Sequence, residues 1–485
     1  MSESYLPRDL RGFPIHLIGA KGTGMTALAE ILAAEGAILT GSDVADVFYT
    51  DAILAELGIP VAAGFDSANL GEGIRLVIHS AAYGRDSNPE LLAAAERGLP
   101  MMSYPEALGE LSRRFDSCGI AGVHGKTTTT AIAGSIVRAL GLPATVIAGS
   151  AVASFGGRST SIGGSRFLIA ETCEYRRHFL SFKPRRIVLT SVEHDHQDFF
   201  PRYADILAAF ADFIRLLPSD GELVYCIDDP GAGEAAAYAP PGVALLPYGR
   251  NATGAYRLES YEAGDGRASF RLAGFSEPFE LKVPGEHIAL DATAALAVAF
   301  SLLHAQTGTG PDPKAVAAAR AAIAAFAGSR RRSEILGESA GILFMDDYGH
   351  HPTAIRETLR GIKAFWPERR LVVDFMSHTY SRTKALFNDF AASLDTADAV
   401  VLHKIYASAR EEPDGATAGR ALFEAVKSRR PGREALYFEE PMDALGKLAS
   451  ELSPGDLFLT MGAGDNWKLG SALLAELSSG GEALG

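Results

Sequence analysis

CGIAGVHGKTTTT, residues 118–130, passes from a short apolar strand through a loop (VHGK) into a helix that opens at Thr127. Gly122 and Gly125 let backbone N–H groups curl round an anion, and the helix start adds about half a positive charge. Lys126 is spaced to reach the β- and γ-phosphates of a nucleotide and the Thr127 hydroxyl to join a Mg²⁺ shell, with His124 and Thr128 flanking them. The full Walker spacing would put glycine at position 120, where this chain has Ile120, so the loop is a shortened variant. The competing reading is a glycine-rich turn with a chance Gly-Lys-Thr, which the strand–loop–helix setting disfavours. A phosphate loop in that setting belongs to an α/β fold with a parallel sheet.

The alternation extends both ways. Toward the N-terminus, residues 13–19, 37–43 and 75–81 predict strands, with helical patterns at 25–35, 51–57, 89–97 and 104–114. Beyond the loop, 166–170, 185–191 and 222–228 predict strands. Residues 255–285 alternate with period two between Gly and Asp turns, and predict antiparallel hairpins on the edge of this block. Helical patterns follow at 289–303 and 313–326. A third block has strands at 341–347, 370–376, 397–403, 435–438 and 456–462. The expected architecture is three α/β domains: a Rossmann-like domain (1–116), a central P-loop domain with added antiparallel strands (117–327) and a second Rossmann-like domain (328–485).

A chain of 485 residues allows this number of domains at roughly 100–200 residues each. With 47% hydrophobic and 21% charged residues, disordered, collagen-like and disulfide-scaffold classes fall away. The net charge of −14 supplies no general phosphate-neutralising excess and argues against nucleic acid as partner, though a local loop can still bind a small anion. Cys118, Cys173 and Cys226 are widely separated, without metal-like spacing, which fits a reducing cytosol. The most apolar helical stretch, 292–303, is about twelve residues, short of the ~18 that span a membrane. The N-terminal run MSESYLPRDLRG has no basic segment leading into an apolar core. The expectation is a soluble cytoplasmic protein with no membrane partner.

Other motifs cluster at predicted strand ends. Glu171 follows one strand, and His196 lies in EHDHQD, 193–198, after another. The C-terminal ends of parallel strands face one crevice, so both are expected to converge with Lys126 on the phosphates. Carboxylate suits hard Mg²⁺, whereas imidazole is a less usual ligand for it. Taken singly, each cluster reads as a solvated loop. The first strand ends in Gly19-Ala20-Lys21-Gly22-Thr23-Gly24-Met25, with Lys21 where a dinucleotide fingerprint has its second glycine. Together with Ser42, Asp43 and Ser80 at the ends of the next strands, it predicts a diphosphate on a helix N-terminus, a tight packing turn being the alternative. DDYGHHPT, 346–353, joins a strand to a helix with Pro352 in the first turn. Its adjacent histidines resemble a metal site, but consecutive side chains diverge, which favours a substrate or ribose contact. In Ser377–Thr383, Arg382 can grip a carboxylate; alone, this run is a polar helix start.

In this order the motifs resemble the Mur ligase family of peptidoglycan synthesis across essentially the whole chain. Gly125-Lys126-Thr127-Thr128, the Glu171 and His196 clusters, Gly285-Glu286-His287, the run Arg330–Arg332 and DDYGHHPT carry the resemblance. It implies an N-terminal UDP-sugar domain, a central ATPase and a C-terminal domain that closes over the site. It also implies ATP-dependent amide formation, and DDYGHHPT points to the branch joining L-alanine to UDP-N-acetylmuramate. By resemblance Lys126 contacts the β/γ-phosphates, Thr127 and Glu171 hold one Mg²⁺, and Glu171 with His196 hold a second, Mn²⁺ being a substitute. Gly122, His124, Gly125, Thr128, His287, Asp291, Arg332 and Asp347 would contact ATP. Gly19, Gly22, Thr23, Gly24, Met25, Ser42, Asp43 and Ser80 would contact the UDP-sugar, and Tyr348, His350, His378 and Arg382 the amino acid. A monomer or homodimer is expected.

Three departures stand out. Cys173 replaces a usual aspartate, and Ile288 and Asp291 stand where adenine-reading asparagines are common. Met376-Ser377-His378-Thr379 replaces Gln-Pro-His-Arg, so Thr379→Arg is expected to restore a lost carboxylate contact unless Lys384 or Arg410 already supplies it. Two other functions fit less well. A tripeptide-recycling ligase usually has Phe-Ala where this chain has Tyr348-Gly349, and an inactive nucleotide-binding regulator would not keep Lys126, Thr127, Glu171 and His196.

Overall fold

Residues 13–19 form the strand Pro14–Ile18 at the centre of a five-stranded parallel sheet. The order is Val61–Ala63, Ile38–Asp43, Pro14–Ile18, Leu76–His79, Met101–Ser103. Helix Thr23–Ala34 starts directly after the first strand's glycine turn. The central strands are buried on both faces, which is why they read as unbroken apolar runs. The computed structural model describes residues 5–407, 411 and 418–482; residues 1–4 of the N-terminal run, and Arg410, lie outside them.

The chain packs as two compact units. The first comprises Met1–Val192, Leu207–Leu246 and Ala294–Ala319; the second comprises Glu193–Ile206, Pro247–Thr293 and Arg320–Gly485. In a seven-stranded sheet the order is Ala244–Tyr248, Glu222–Cys226, Arg186–Leu189, Asp116–Ala121, Phe167–Glu171, Ala144–Val152, Arg158–Ile162. The P-loop strand Asp116–Ala121 is thus flanked by parallel strands that lead toward Glu171 and toward Thr190-Ser191. The antiparallel edge of this sheet is Arg158–Ile162 against Ala144–Val152. Residues 255–285 form the predicted antiparallel hairpins as a separate three-stranded sheet, Leu258–Gly264, Arg267–Leu272 and Phe279–Leu281. Their period-two apolar set (Phe270, Leu272, Phe279, Leu281) is buried, with the rings of Phe270 and Phe279 stacked at 5.2 Å.

The second unit also holds a six-stranded sheet ordered Glu334–Ser339, Ile342–Asp347, Asp456–Gly462, Arg370–Met376, Ala399–Leu402, Glu434–Tyr437. Its first strand pairs antiparallel and the rest parallel. Helix Pro352–Phe365 begins behind His351, whose Nδ1 accepts from Thr353 N at 3.3 Å. Backbone meets backbone along it: a Cβ at Gly361 would stand 2.6 Å from Gly285 Cα.

Helix Glu286–Thr307 corrects the expected length of the apolar helix. Its 22 residues are long and apolar enough to cross a membrane, but 72% of the apolar window is buried inside the fold, as in a core helix. Sequence reading stopped at the apolar centre, although the helix continues through polar residues at both ends.

Candidate active site

In the first unit, Gly125 has φ +79°, the left-handed conformation that lets the loop turn into helix Lys126–Ala139. The loop is tied to the neighbouring strand end: Val123 N donates to Ser191 O at 3.0 Å, His124 N to Ser191 Oγ at 2.9 Å, and Thr190 Oγ1 to His124 O. Thr127 Oγ1 donates to Glu171 Oε2 at 2.8 Å. Lys126 Nζ donates to the carboxylate of Glu174 at 2.9 and 3.2 Å and to Gly122 O. Burial alone would lower the Lys126 pKa, but Glu174, followed by Cys173 and Glu171, reverses this and raises it. Burial, with Glu171 beside it, likewise pushes the Tyr104 hydroxyl up.

The oxygens of Thr127 and Glu171 form a hard donor set, which fits Mg²⁺. Space beside Glu171 is kept by Gly149, where a Cβ would overlap the carboxylate. His196 belongs to the other compact unit, with φ +56° and its backbone N donating to Asp195 Oδ1 at 2.6 Å.

Around the first sheet, Gly19, Gly22, Thr23, Gly24 and Met25 form the turn and first residues of helix Thr23–Ala34. Lys21 N donates to Asp43 Oδ2 at 2.7 Å, and Lys21 Nζ pairs with Asp51 at 3.0 Å. Asp43 Oδ1 accepts from Tyr83 OH at 3.2 Å, and Ser80 Oγ accepts from Ala82 N at 3.3 Å. Ser42 is engaged within the fold. Its side chain is fully buried, and its hydroxyl donates to Glu90 Oε2 at 2.5 Å. Strand alternation turns Ser42 inward. Glu90, itself buried, also meets His16 Nε2 at 3.3 Å, Asn69 Nδ2 at 2.6 Å and Asp66 N at 3.2 Å. Burial would raise the Glu90 pKa, yet the bonds from His16, Ser42 and Asn69 bring it down.

The second unit gathers the residues expected to bind the amino acid. The rings of Tyr348 and His350 lie 5.0 Å apart and those of His350 and His378 5.6 Å apart, both edge-on. Arg382, expected to grip a carboxylate, donates to Asp195 Oδ1 from Nε at 3.0 Å and Nη2 at 2.8 Å. Its Nη1 meets His378 Nδ1 at 3.1 Å. A guanidinium cannot accept, so His378 Nδ1 is the acceptor in this contact. His350 Nδ1 donates to Tyr348 O at 2.8 Å, and burial followed by the Arg382 charge holds its pKa well below the usual range. Burial would raise the Asp195 carboxyl, but Arg382, then His196, His350 and His351, hold it far below the usual carboxylate range.

Arg332 and Arg331 both lie over the Tyr348 ring, at 5.2 and 5.1 Å. Arg331, not Arg332, makes the buried pair with Asp346 at 2.8 Å. Asp347 accepts from Ser333 N and Gly349 N, each at 2.7 Å, and so shapes the loop. His287 and Asp291 lie on helix Glu286–Thr307, the His287 ring folded back over Gly285 and Asp291 buried, as is Ile288.

The position of Thr379 argues against the expected repair of its loop. It is 7% exposed with φ +64°, a conformation a β-branched residue adopts only under constraint. An arginine there would have to fit its longer side chain into a buried, positive-φ position. Sequence reasoning also missed Glu174, Asp195 and Ser191. The first two stood inside charged runs already singled out, but nothing in the spacing told which carboxylate would be buried against a cation.

Three family models match the chain. "Mur ligase family, catalytic domain" covers residues 14–116, "Mur ligase middle domain" 120–299 and "Mur ligase, glutamate ligase domain" 331–464. The chain is 55% identical over 476 residues to the UDP-N-acetylmuramate–L-alanine ligase of Treponema pallidum (strain Nichols), covering 98% of each. It is 38% identical over 464 residues to the enzyme of the same name from Desulfitobacterium hafniense (strain Y51), covering 95% of this chain and 99% of that one. Among solved structures, the UDP-N-acetylmuramate–alanine ligase of Thermotoga maritima superposes with TM-score 0.78 at 25% identity, over 96% of this chain and 99% of that one. A murein peptide ligase from Psychrobacter arcticus shares the fold at TM-score 0.67 and 24% identity, with the same coverage.

Proposed function

The chain belongs to the Mur ligase family, and on that footing we propose that it is the ATP-dependent ligase joining L-alanine to the lactyl carboxylate of UDP-N-acetylmuramate, in peptidoglycan precursor synthesis. The observation that carries the chemistry is the oxygen pair Thr127–Glu171 beside the P-loop lysine Lys126.

The reaction runs in two steps. A lactyl carboxylate oxygen attacks the γ-phosphorus, the bond from that phosphorus to the β–γ bridging oxygen breaks, and ADP leaves. The amine of L-alanine then attacks the acyl-phosphate carbon, the C–O bond to phosphate breaks, inorganic phosphate departs, and the nitrogen loses a proton. Phosphoryl transfer asks the protein mainly for positioning and charge neutralisation. Lys126 and the N–H groups of Gly122, His124, Gly125 and Thr128 steady the phosphates, and His287, Asp291, Arg332 and Asp347 the rest of the nucleotide. Thr127 and Glu171 would hold Mg²⁺, which would supply charge neutralisation at the phosphates; His196 would serve a second ion, and Mn²⁺ would be a substitute. Tyr348, His350, His378 and Arg382 receive the amino acid. The turn Gly19–Met25, with Asp43 and Ser80, receives the diphosphate of the sugar nucleotide, and Ser42 supports it from behind.

The family's three domains are assigned to 1–116, 117–327 and 328–485. A cytoplasmic monomer or homodimer completes the reading. The test is phosphate release from ATP with UDP-N-acetylmuramate, Mg²⁺ and each amino acid in turn, with a tripeptide as control. Release is expected only when acceptor and L-alanine are both present; equal release without the sugar nucleotide would reject the assignment.

A further inference from the structure

Glu174 is a buried carboxylate to which the proposed chemistry gives no task. It is 2% exposed, three residues beyond Glu171, and both its oxygens take the Lys126 ammonium, at 2.9 and 3.2 Å. Lys126 is thus held by charge-assisted bonds to Glu174 and by the Gly122 carbonyl. With Glu171 bonded to the adjacent Thr127, the loop carries one positive and two negative side chains. A nucleoside triphosphate brings several more negative charges to the place the lysine must serve. It must compete with Glu174 for Lys126 and also approach two carboxylates.

We propose that Glu174 is a positioning residue that makes nucleotide binding conditional on a divalent cation. When the site is empty, it keeps Lys126 folded onto its own loop. Metal-free nucleotide is disfavoured because it must displace a buried, satisfied ion pair against like charge. A magnesium–nucleotide complex arrives with much of that charge cancelled. The inference rests on the reading of Lys126 as the nucleotide lysine and adds what controls its availability.

The test is calorimetric titration of the full chain with ATP and ADP, in Mg²⁺ and in EDTA, for wild type, Glu174→Gln and Glu174→Asp. Glu174→Gln is expected to bind metal-free nucleotide about tenfold or more tightly than wild type, with little change for the magnesium complex. Glu174→Asp keeps the charge and should keep the metal requirement. In phosphate release, Glu174→Gln should lower kcat without raising KM for the magnesium complex, because the lysine is freed but less well aimed. An unchanged ratio of affinities with and without metal in Glu174→Gln overturns the proposal. If that variant does not fold, Lys126→Met with Glu174→Met, which removes the pair as a unit, is compared with Lys126→Met alone. Tighter metal-free binding by the double variant supports the proposal, and equal binding overturns it. If the wild type fails to bind even the magnesium complex, the nucleotide reading falls and takes the inference with it.

Discussion

Arg382 spends two N–H groups on a single oxygen, Asp195 Oδ1, at 3.0 and 2.8 Å, and turns a third to His378 Nδ1 at 3.1 Å. Both partners of the ion pair are 6% exposed. The pair fastens the EHDHQD segment to helix Tyr380–Ala385, beside the ring cluster of His350 and His378.

Arg382→Ala should therefore do two things. It strands a buried carboxylate, which costs about 3–5 kcal/mol of stability, and the double variant with Asp195→Ala should recover part of that loss. Saturation by L-alanine in phosphate release should be nearly abolished. Wild-type denaturation and wild-type KM for L-alanine in Arg382→Ala would reject both the packing and the binding role.

Glu171→Ala removes the partner of Thr127 Oγ1 and a proposed metal ligand. Turnover should fall by more than roughly 10²–10³, the loss that accompanies ~3–4 kcal/mol of lost charge stabilisation. Binding of UDP-N-acetylmuramate, followed by titration, should stay near wild type. Undiminished turnover would return Glu171 to an ordinary loop carboxylate.

Thr379→Arg is now expected to harm. The new side chain would have to enter a buried site at φ +64°, so the melting temperature should drop and KM for L-alanine should not improve. Thr379→Gly, which adopts that backbone freely, should melt no lower than wild type. A lowered KM in Thr379→Arg would show that the loop opens in solution.

His403 and Asp374 predict a pH dependence. His403 Nε2 lies 2.5 Å from Asp374 Oδ1, with both side chains fully buried. Burial would lower the His403 pKa, but Asp374 reverses this and raises it above 6.5. A raised histidine pKa contributes stability that is fully present below the unfolded value and fades as pH climbs through the folded one. The melting-temperature difference between wild type and Asp374→Asn should thus shrink as pH rises above 6.5. A difference that is flat or grows with pH would mean that His403 is neutral throughout.

Much of this molecule was legible in its residues because its central strands are long, apolar and punctuated by glycine. Pro14–Ile18, Asp116–Ala121 and Arg370–Met376 fall where the runs predicted. The three-residue edge strands Val61–Ala63 and Met101–Ser103 did not show, since so short a segment has no period to read. The contact between Thr127 and Glu171 followed from the shared edge of neighbouring parallel strands. What spacing could not supply was the partner of each charge. Lys126 and Arg382 looked available to ligands, and both proved held by carboxylates from distant loops, a matter of burial rather than sequence distance.

Glu90 accepts hydrogen bonds from the loop Asp66–Asn69 and from Ser42, and meets His16, all through one buried carboxylate. This narrows the routes by which the first domain can be re-engineered. A library that varies Ser42 in search of a different acceptor would mostly strip a donor from that carboxylate, at about 1–3 kcal/mol each, and return misfolded clones rather than altered specificity. Diversity is better placed at Ser80, whose side chain is not among those bonded to Glu90. Any change at Ser42 calls for a matching change at Glu90 in the same gene.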